Sequence, residues 1–427
     1  MADYELIRNA LNRQKDRFFT EKSLIKRDIL DEILLLLNDK RILIISGMRR
    51  VGKSTLFKEI ISKLISEKKN YCYVNFEDES FLNFESRDFE KLNELLTEIY
   101  GVSDYYFFDE IQNISNFESF IRRLHDENKK IFLTGSNSSL LSKEFGTKLT
   151  GRYKMFELYP FSFGEFLLKN NFDFKNIKFK TEEKAEIKKY FSDYMNLGGI
   201  PEYLENKDTD YIKTIYDNIL YRDIISRYNI KSQKILKELV NLLSTNISSP
   251  FTYNSLKNAL NLSNAITIKE YISHLNNSYL FFELLRFDYS VKKQLNFPRK
   301  IYIVDPAFFN VVGINFKTNF GRIFENIVFI ELKRRNYELY YFQEKNECDF
   351  VVSEKNKVSQ LIQACYQLNV DNKDREITGL VEAMKKFKLK EGLILTYEQE
   401  EEFKVEDKKI KVLPIWKWLL EKNTCNN

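Results

Sequence analysis

Short apolar runs in the first part of the chain alternate with segments in which apolar residues recur at helical spacing. The runs cover 42–45, 71–76, 105–108 and 130–134, and each has the length of one buried strand. After the first run, apolar residues follow the helical period at Leu56, Phe57, Ile60, Ile61, Leu64 and Ile65. Residues 1–40 also have a helical pattern, with Ile25, Ile29, Ile33 and Leu36 on one face. Together these patterns predict an α/β domain.

The rest of the chain divides into three stretches of different pattern. From 160 to 229 the period is helical, with one break at 198–202, and we expect short helices that form a lid. Residues 233 to about 305 predict three helices followed by two strands, 279–287 and 300–304, which is the order of a winged helix. From about 315, a helix followed by several strands predicts a second α/β unit.

The loop after the first predicted strand fits the phosphate-binding pattern G-x-x-x-x-G-K-[ST] at every fixed position. Its glycines allow a tight turn that points successive backbone N–H groups at phosphate oxygens, and the following helix adds its positive end. We expect Lys53 to reach the β- and γ-phosphates and Ser54 to ligate Mg²⁺. The alternative is a glycine-bearing turn that contains Lys-Ser by chance. The predicted nucleotide contacts are Gly47, Arg49, Arg50, Val51, Gly52, Lys53, Ser54 and Thr55.

The third apolar run ends in two acids, Asp109 and Glu110. We expect Asp109 to hold Mg²⁺ through water, and Glu110 to polarise the attacking water as the base for hydrolysis. A buried strand that ends in acids is common on its own. It becomes informative here because it follows a complete phosphate loop. The loop can hold the phosphates, and the two acids can hold Mg²⁺ and polarise the water.

Four further polar residues are candidates for contact with the γ-phosphate. Asn137, and after it Ser136, follow the fourth run, where a polar side chain can bond the γ-phosphate or the water; a helix N-cap is the alternative. Arg152 is a candidate for neutralising γ-phosphate charge, either in cis or from a neighbouring subunit, and a surface ion pair is the alternative. Arg222 in the predicted lid is a weaker candidate for reading the phosphates.

Basic residues in the predicted winged helix suggest a nucleic-acid surface. Lys269 lies on the outer face of its third helix, while Lys292, Lys293 and Arg299 fall in the loop between its two strands. An exposed helix and a basic wing suit major-groove and phosphate contacts, so double-stranded DNA is a candidate partner. The helix is not strongly basic, and the alternative is the same fold used as a protein–protein or lid module.

The composition argues against a disulfide-rich, zinc-binding or membrane-spanning protein, but it does not identify a binding partner. The 427 residues include 67 basic and 62 acidic side chains, so the net charge of +5 is small and any basic surface must be local. The four cysteines form no C-x-x-C pair, and two histidines cannot supply a His-rich metal site. No apolar run reaches membrane-spanning length, and the first ten residues lack signal-peptide character. We expect a cytoplasmic protein without disulfides, structural zinc or membrane contact.

Over essentially its whole length the chain resembles a prokaryotic, largely archaeal, family of AAA-type ATPases. The resemblance rests on GMRRVGKST, FFDEIQNI, LTGSNSSLLS, the Gly-Arg at 151–152, YPFSFGEFL, LGGIPEYL and ECDFVV. It implies an α/β P-loop core of the ASCE/AAA type, a helical lid, a winged helix and a C-terminal α/β restriction-endonuclease-like domain. The expected boundaries are 1–160 for the core, 161–232 for the lid, 233–310 for the winged helix and 311–427 for the last domain.

Nucleases of the last type place a helix Glu, a strand Asp and a (Glu/Gln)-x-Lys strand around a metal. Glu325, Asp349 and Gln363 match the first three in order, but Cys365 stands where the lysine belongs. The two carboxylates still suit Mg²⁺, but the lysine that would help to activate the attacking water is missing. We therefore expect a vestigial nuclease site in a domain used for binding or for oligomerisation.

The functional expectation is an ATP-binding, Mg²⁺-dependent ATPase switch that acts on or near DNA. One alternative is a signalling or scaffold switch whose nucleotide state gates a protein partner, and another is an ATP-regulated nuclease. A homo-oligomer is compatible with all three. The choice of ATP over GTP comes mainly from the family, although no guanine-reading N-K-x-D stretch is evident in the sequence.

Overall fold

The computed structural model of the protein describes residues 2–17, 24–137, 151–174, 180–313 and 319–421. The part of the LTGSNSSLLS motif from Ser138 onward lies outside these ranges, as does Cys425. The chain forms two compact units, one of residues 1–159 with 277–279 and the other of residues 160–276 with 280–427. No helix within the described ranges is long and apolar enough to cross a bilayer.

The first unit is an α/β domain with one parallel sheet. Its strands β1 (Ile42–Ser46), β2 (Tyr71–Asn75), β3 (Tyr105–Asp109), β4 (Lys130–Gly135) and β5 (Tyr153–Glu157) lie in the order β2-β3-β4-β1-β5. β4 therefore lies between β1, which precedes the phosphate loop, and β3, which ends in the acid pair. This confirms the predicted α/β class. The elements are α1 (Tyr4–Arg17), α2 (Leu30–Leu34), β1 (Ile42–Ser46), α3 (Lys53–Ser66), β2 (Tyr71–Asn75), α4 (Phe89–Tyr100), β3 (Tyr105–Asp109), α5 (Glu118–Asp126), β4 (Lys130–Gly135) and β5 (Tyr153–Glu157). Short 3₁₀ turns cover Glu79–Phe81, Ser86–Asp88 and Ile111–Asn113.

Both faces of this sheet are covered, which explains why its strands read as unbroken apolar runs. In β1, Ile42 and Ile44 belong to one apolar cluster together with residues of α1, α4 and α5. Leu43 and Ile45 belong to the opposite cluster, together with residues of α2 and α3. The apolar face predicted before β1 is only partly right. Of its four residues Ile33 is buried, and two leucines of this segment, Leu30 and Leu37, are buried as well.

Parallel strands place their carboxyl ends at one edge of the sheet, and the register shows which residues meet there. Asn75 is paired with Asp109, and Ser46 with Gly135. The phosphate loop, the acid pair and the residues after β4 all leave the sheet at this edge. Ligand sites of open parallel sheets lie at this edge as well.

The second unit begins with helices and ends in a mixed sheet. Its elements are α6 (Phe163–Lys169), α7 (Thr181–Leu197), α8 (Pro201–Asn206), α9 (Thr209–Asn218), a π-helix (Ile219–Ser226), α10 (Gln233–Thr245), β6 (Pro250–Phe251), α11 (Tyr253–Ala259), α12 (Ala265–Asn277), β7 (Phe281–Leu285), α13 (Val291–Asn296), β8 (Arg299–Ile303), α14 (Pro306–Val312), α15 (Phe320–Arg334), β9 (Glu338–Gln343), β10 (Glu347–Glu354), β11 (Lys357–Ala364), α16 (Lys373–Phe387), β12 (Glu391–Thr396), β13 (Glu401–Val405), β14 (Lys408–Pro414) and α17 (Ile415–Leu420).

Two sheets organise this unit. A small antiparallel sheet has the order β6-β8-β7, and a six-stranded mixed sheet has the order β13-β14-β12-β11-β10-β9. The two are joined because Arg286, just after β7, forms a bridge with Tyr341 of β9, and Phe287 N donates to Tyr341 O at 2.7 Å. Strand β13 was not predicted, since Glu401–Val405 carries charged residues at alternate positions of an edge strand.

The predicted break in the helical stretch encloses a buried carboxylate. Gly199 N donates to Asp305 Oδ2 at 2.7 Å, and Ala307 N donates to Asp305 Oδ1 at 2.9 Å. At Gly198 φ is +70°, and a Cβ there would lie 1.8 Å from Asp305 Oδ1, so both conformation and space require glycine. Burial raises the pKa of Asp305 to about 7, although the two backbone hydrogen bonds oppose the shift.

Candidate functional site

The two motif glycines of the phosphate loop are each required by the backbone. At Gly47 a Cβ would lie 2.3 Å from the carbonyl oxygen of Leu158, and Gly47 N donates to Gly135 O of β4 at 3.3 Å. Gly52 has φ of +97°, in the left-handed region, immediately before α3 starts at Lys53. The loop therefore sits against β4 and β5 and ends at the amino end of a helix, where backbone N–H groups favour anions.

Lys53 is buried beneath this loop. Its ammonium lies 3.1 Å from Gly47 O and 3.2 Å from Met48 O, and it forms an ion pair of 3.0 Å with Glu110 Oε1. Its side chain is only 5% exposed. The lysine of the loop and the second acid of the pair thus meet, as the sequence pattern predicts.

Asp109 is fully buried at the end of β3 and is surrounded by hydroxyl donors. Tyr73 OH donates to its Oδ2 at 2.9 Å, and Thr134 OH donates to its Oδ1. Ser54 also hydrogen-bonds this carboxylate. Burial raises the pKa of Asp109, and the neighbouring charge of Glu110 raises it further, against these hydrogen bonds.

Glu110 occupies a left-handed backbone conformation, with φ of +52°. Its N–H donates to Thr134 Oγ1 at 2.8 Å, and Gln112 Nε2 donates to its Oε2. Burial pushes the pKa of Glu110 up, but the charge of Lys53 and the bond from Gln112 outweigh burial, so the pKa is lowered. Glu110 therefore stays ionised beside a first acid that is harder to ionise.

Thr134 connects the two acids, a role that the sequence did not reveal. Its hydroxyl donates to Asp109 and accepts from the backbone of Glu110, and it is fully buried at the end of β4. The predicted residues Ser136 and Asn137 follow directly and are also buried. The Ser136 hydroxyl has no hydrogen-bond partner among the described residues. The only sequence signal for Thr134 was a hydroxyl residue directly after the three apolar residues of its strand.

The remaining predicted loop residues flank the lysine. Arg49 pairs with Glu77, beyond β2, at 2.6 Å, and Arg50 is exposed with φ of +65°. Val51 is buried, and Thr55 lies half-buried in the first turn of α3.

Arg27 supports the loop from the segment before β1, and no sequence pattern singled it out. This arginine is buried, and its guanidinium donates to Val51 O at 2.8 Å and to Tyr159 O at 2.6 Å. It thereby links the loop to the residues after β5. A Cβ on Gly52 would lie 3.2 Å from the same guanidinium, so glycine and arginine fit together.

Arg152 lies at the wrong edge of the sheet for a cis role. It precedes β5, whose first residue pairs with Ile42 at the start of β1, whereas the phosphate loop follows Ser46 at the end of β1. At about 3.3 Å per residue the two edges are roughly 13 Å apart. Arg152 is exposed and pairs with Asp126 at 2.8 Å. The cis alternative is therefore wrong, and the ion pair is what this structure contains.

Mg²⁺ fits the residues at this site. The predicted ligands Ser54 and Asp109 share a hydrogen bond, so the hydroxyl oxygen of Ser54 and a carboxylate oxygen of Asp109 lie close together next to the loop. Hydroxyl, carboxylate, water and phosphate oxygens are the ligands that Mg²⁺ prefers. The hydroxyls of Tyr73 and Thr134 hold the carboxylate in place from behind.

The basic residues of the second unit are only partly where we expected them. Lys269 on α12 is exposed. Lys292 and Lys293 are also exposed, but they lie on helix α13 and not in a loop. Arg299 is buried at the start of β8, where it lies 3.6 Å from Glu283, and it is not part of a basic wing.

Arg222 lies on the π-helix, where it is exposed.

The three nuclease-type residues of the second unit come together, but around a lysine. Glu325 of α15 and Asp349 of β10 both contact the ammonium of Lys300, from β8, at 2.9 and 3.0 Å. Gln363 Oε1 accepts from Asp349 N at 3.2 Å. Cys365 points elsewhere, since its thiol donates to Gln367 O. An ammonium of the chain itself thus lies between the two carboxylates, at the place where we expected Mg²⁺.

Comparison with known proteins assigns the parts of the chain to families. Residues 39–167 match a family described as "AAA domain". Residues 188–318 and 320–418 match two families described as domains of unknown function, DUF8612 and DUF4143.

Two relatives match nearly the whole length. "Uncharacterized protein MJ1544" of Methanocaldococcus jannaschii is 40% identical over 417 residues, which are 93% of this chain and 91% of that protein. A Haemophilus influenzae protein is 28% identical over 416 residues, 94% of this chain and all of that one. Among solved structures, AMPPCP-bound DnaA from Aquifex aeolicus has a TM-score of 0.26 at 16% identity, covering 58% of this chain and 86% of that one. That likeness is too low to carry an argument. The chain therefore belongs to the same family as MJ1544 and contains an AAA domain.

Proposed function

We propose that the protein is an ATP-binding, Mg²⁺-dependent ATPase switch that acts on or near DNA. The observation that carries the proposal is the meeting of Lys53, Asp109 and Glu110 at one edge of a parallel sheet, beneath a glycine loop at a helix start. The AAA domain matched at residues 39–167 supports the same assignment.

Each residue has a role that follows from its surroundings. The loop N–H groups and Lys53 hold the β- and γ-phosphates. Ser54 and Asp109 would hold Mg²⁺, which when bound neutralises charge on the phosphates. Glu110 stays ionised and orients the attacking water, and Ser136 or Asn137 contacts the γ-phosphate or that water.

Magnesium-dependent binding of ATP tests this assignment directly. ATP affinity is measured by equilibrium dialysis with Mg²⁺ and with EDTA. We expect Mg²⁺ to strengthen binding to the wild type, Asp109→Asn to lose most of that gain, and Lys53→Ala to bind poorly under both conditions. Lys63→Ala is the matched control, because Lys63 lies on the same helix but is exposed and paired with Glu67. Wild-type affinity in Lys53→Ala would contradict the proposal.

The DNA part of the proposal rests on the second unit. Helices α10, α11 and α12 are combined with the antiparallel sheet of β6, β7 and β8, which supports a winged helix. Lys269, Lys292 and Lys293 are exposed on this part of the chain. We expect double-stranded DNA to raise the ATPase rate at low salt. Replacing Lys292 and Lys293 together by alanine should reduce the salt dependence of DNA affinity by a slope of about 2.

A protein partner is the second candidate, and one surface favours it. Tyr289, Val291 and Leu295 are exposed around α13, next to the same two lysines. Exposed apolar side chains, an aromatic one among them, are more typical of a protein interface than of a DNA-binding wing. If DNA has no affinity at low salt, this candidate replaces the first.

The proposal also includes a lid, a role for Arg152, a homo-oligomer and a cytoplasmic location. Residues 161–232 would act as the lid, and Arg152 would act in trans, across a homo-oligomer in the cytoplasm. Size-exclusion chromatography with ATP, run on the wild type and on Arg152→Ala, tests the oligomer and the arginine together. If the wild type forms an oligomer with ATP but Arg152→Ala has the same ATPase rate as the wild type, Arg152 does not act in trans.

A further inference from the structure

The centre of the nuclease-type cluster is occupied by a positive charge from the chain itself. The Lys300 ammonium lies 2.7 Å from Glu347 Oε1, 2.9 Å from Glu325 Oε1 and 3.0 Å from Asp349 Oδ1. The Lys300 side chain is only 1% exposed. An ammonium with three carboxylate partners at these distances has the hydrogen bonds that a buried Lys needs.

Two of these carboxylates also accept hydrogen bonds from other groups of the chain. Asp349 Oδ2 accepts from Ala364 N at 3.0 Å, and Glu325 Oε1 also accepts from Tyr302 OH at 2.7 Å. Mg²⁺ needs six oxygens at about 2.0–2.1 Å, and the point common to these carboxylates lies where the Lys300 nitrogen is. Within the described ranges, no group of three or more acidic, His or Cys side chains is arranged to hold a metal ion.

We propose that Lys300 is an internal replacement for the divalent metal ion. The cluster of Glu325, Glu347 and Asp349 therefore binds no Mg²⁺ or Mn²⁺ in the native protein, and the unit does not cut nucleic acid by metal-dependent hydrolysis. The lysine reaches the cluster from β8, outside the helix and strands that carry the nuclease-type residues, which is why the sequence motif did not reveal it.

The position of the lysine indicates a permanent replacement. β8 belongs to the small sheet, whose neighbouring strand β7 leads into the bridge between Arg286 and Tyr341 of the large sheet. Tyr341 OH donates to Pro298 O, two residues before Lys300, at 2.7 Å. Withdrawing the ammonium would require this sheet junction to open. The cluster thus serves to hold the two sheets of the unit together.

Manganese binding to the full chain without nucleotide tests the proposal. Mn²⁺ is titrated by electron paramagnetic resonance into the wild type and Asp349→Asn, so that binding at the phosphate loop is common to both. We expect identical titrations. Binding in the wild type that Asp349→Asn abolishes, or Mn²⁺-dependent DNA cutting abolished by the same change, would overturn the proposal. This comparison does not need any variant of Lys300 to fold.

Removing the lysine gives a second, independent test. Lys300→Ala should lower the melting temperature and gain one Mn²⁺ site, with Mn²⁺ restoring part of the lost stability. Lys300→Ala combined with Asp349→Asn should not gain that site. Lys385→Ala, which removes an exposed lysine of the same unit that pairs with Glu406, is the control and should change neither property. A folded Lys300→Ala protein that gains no Mn²⁺ site would contradict the statement that the ammonium occupies the metal position.

Discussion

The Lys53 ammonium and the Glu110 carboxylate form a 3.0 Å ion pair at the candidate nucleotide site. Phosphate oxygens and Glu110 are both anionic partners for the same lysine. A bound triphosphate would therefore compete with Glu110 for Lys53 and leave this acid available to a water molecule. In the proposed mechanism, this pair would link the binding of ATP to the availability of Glu110 as the base.

Replacing Glu110 by glutamine should separate binding from turnover. Glutamine has the same size but removes the negative charge that competes for Lys53, so we expect ATP affinity to rise a few-fold. Turnover should fall by about 10² or more, because the base is lost. Binding is measured by calorimetry and turnover by phosphate release. Glu67→Gln, which removes an exposed acid paired with Lys63 and Lys69, is the control. Unchanged turnover in Glu110→Gln would exclude Glu110 as the base.

Thr134 should matter for catalysis more than for binding. Thr134→Val keeps the shape but removes the hydroxyl that bonds Asp109 and the Glu110 backbone. We expect kcat to fall roughly tenfold or more with a smaller change in KM, because a misplaced base affects the transition state. Thr134→Ser retains the hydroxyl and should recover most of the rate. A wild-type rate in Thr134→Val would contradict this prediction, because it would show that catalysis does not need the hydrogen bonds of this hydroxyl.

Arg27 should affect nucleotide affinity through the shape of the loop. Arg27→Met removes the bonds to Val51 O and Tyr159 O while keeping most of the buried volume. We expect ATP to bind roughly tenfold more weakly, a loss of about 1.4 kcal/mol. Lys26→Met, next in the chain but exposed and paired with Asp31, should bind ATP normally. Similar losses in both variants would indicate a general electrostatic effect.

Asp305 should make the stability of the second unit fall with rising pH. Its pKa is raised from 3.8 to about 7 on folding, so the folded state holds a proton that the unfolded state releases. Stability is therefore greatest below the unfolded value, decreases as pH rises from about 4 to about 7, and then levels off. Asp305→Asn should flatten this part of the melting profile, measured by calorimetry. A profile with the same slope in the variant would assign the dependence to other groups.

The sequence predicted the first unit well because its signals are local. The apolar runs are β1 to β4, and the helical stripe after the loop is α3. The glycine–lysine motif and the acid pair lie at strand ends, and parallel strands bring such ends to one edge. The contact between Lys53 and Glu110 could therefore be expected from the order of the motifs along the chain.

What the sequence missed depends on contacts between residues distant in the chain. Arg27 contacts Tyr159, and Lys300 contacts Asp349. Nothing in the spacing of a lone basic residue indicates which carboxylate or carbonyl it will face. Lys300 was predicted only as the first residue of a strand, 300–304, and no contact was assigned to its side chain.

Arg152 shows a different limit. A position soon after the fourth strand suggested closeness to the phosphates, but the chain returns to the opposite edge of the sheet before β5 begins. Distance along the sequence does not tell which end of a parallel strand a connecting residue occupies.

The central claim is that Lys53, Asp109 and Glu110 act on a single bound triphosphate. Single-turnover phosphate release, measured with Mg²⁺ and excess protein on the wild type, Lys53→Ala and Glu110→Gln, tests this most directly. We predict release by the wild type, bound but intact ATP in Glu110→Gln, and neither binding nor release in Lys53→Ala. Release at the wild-type rate by either variant would contradict the claim.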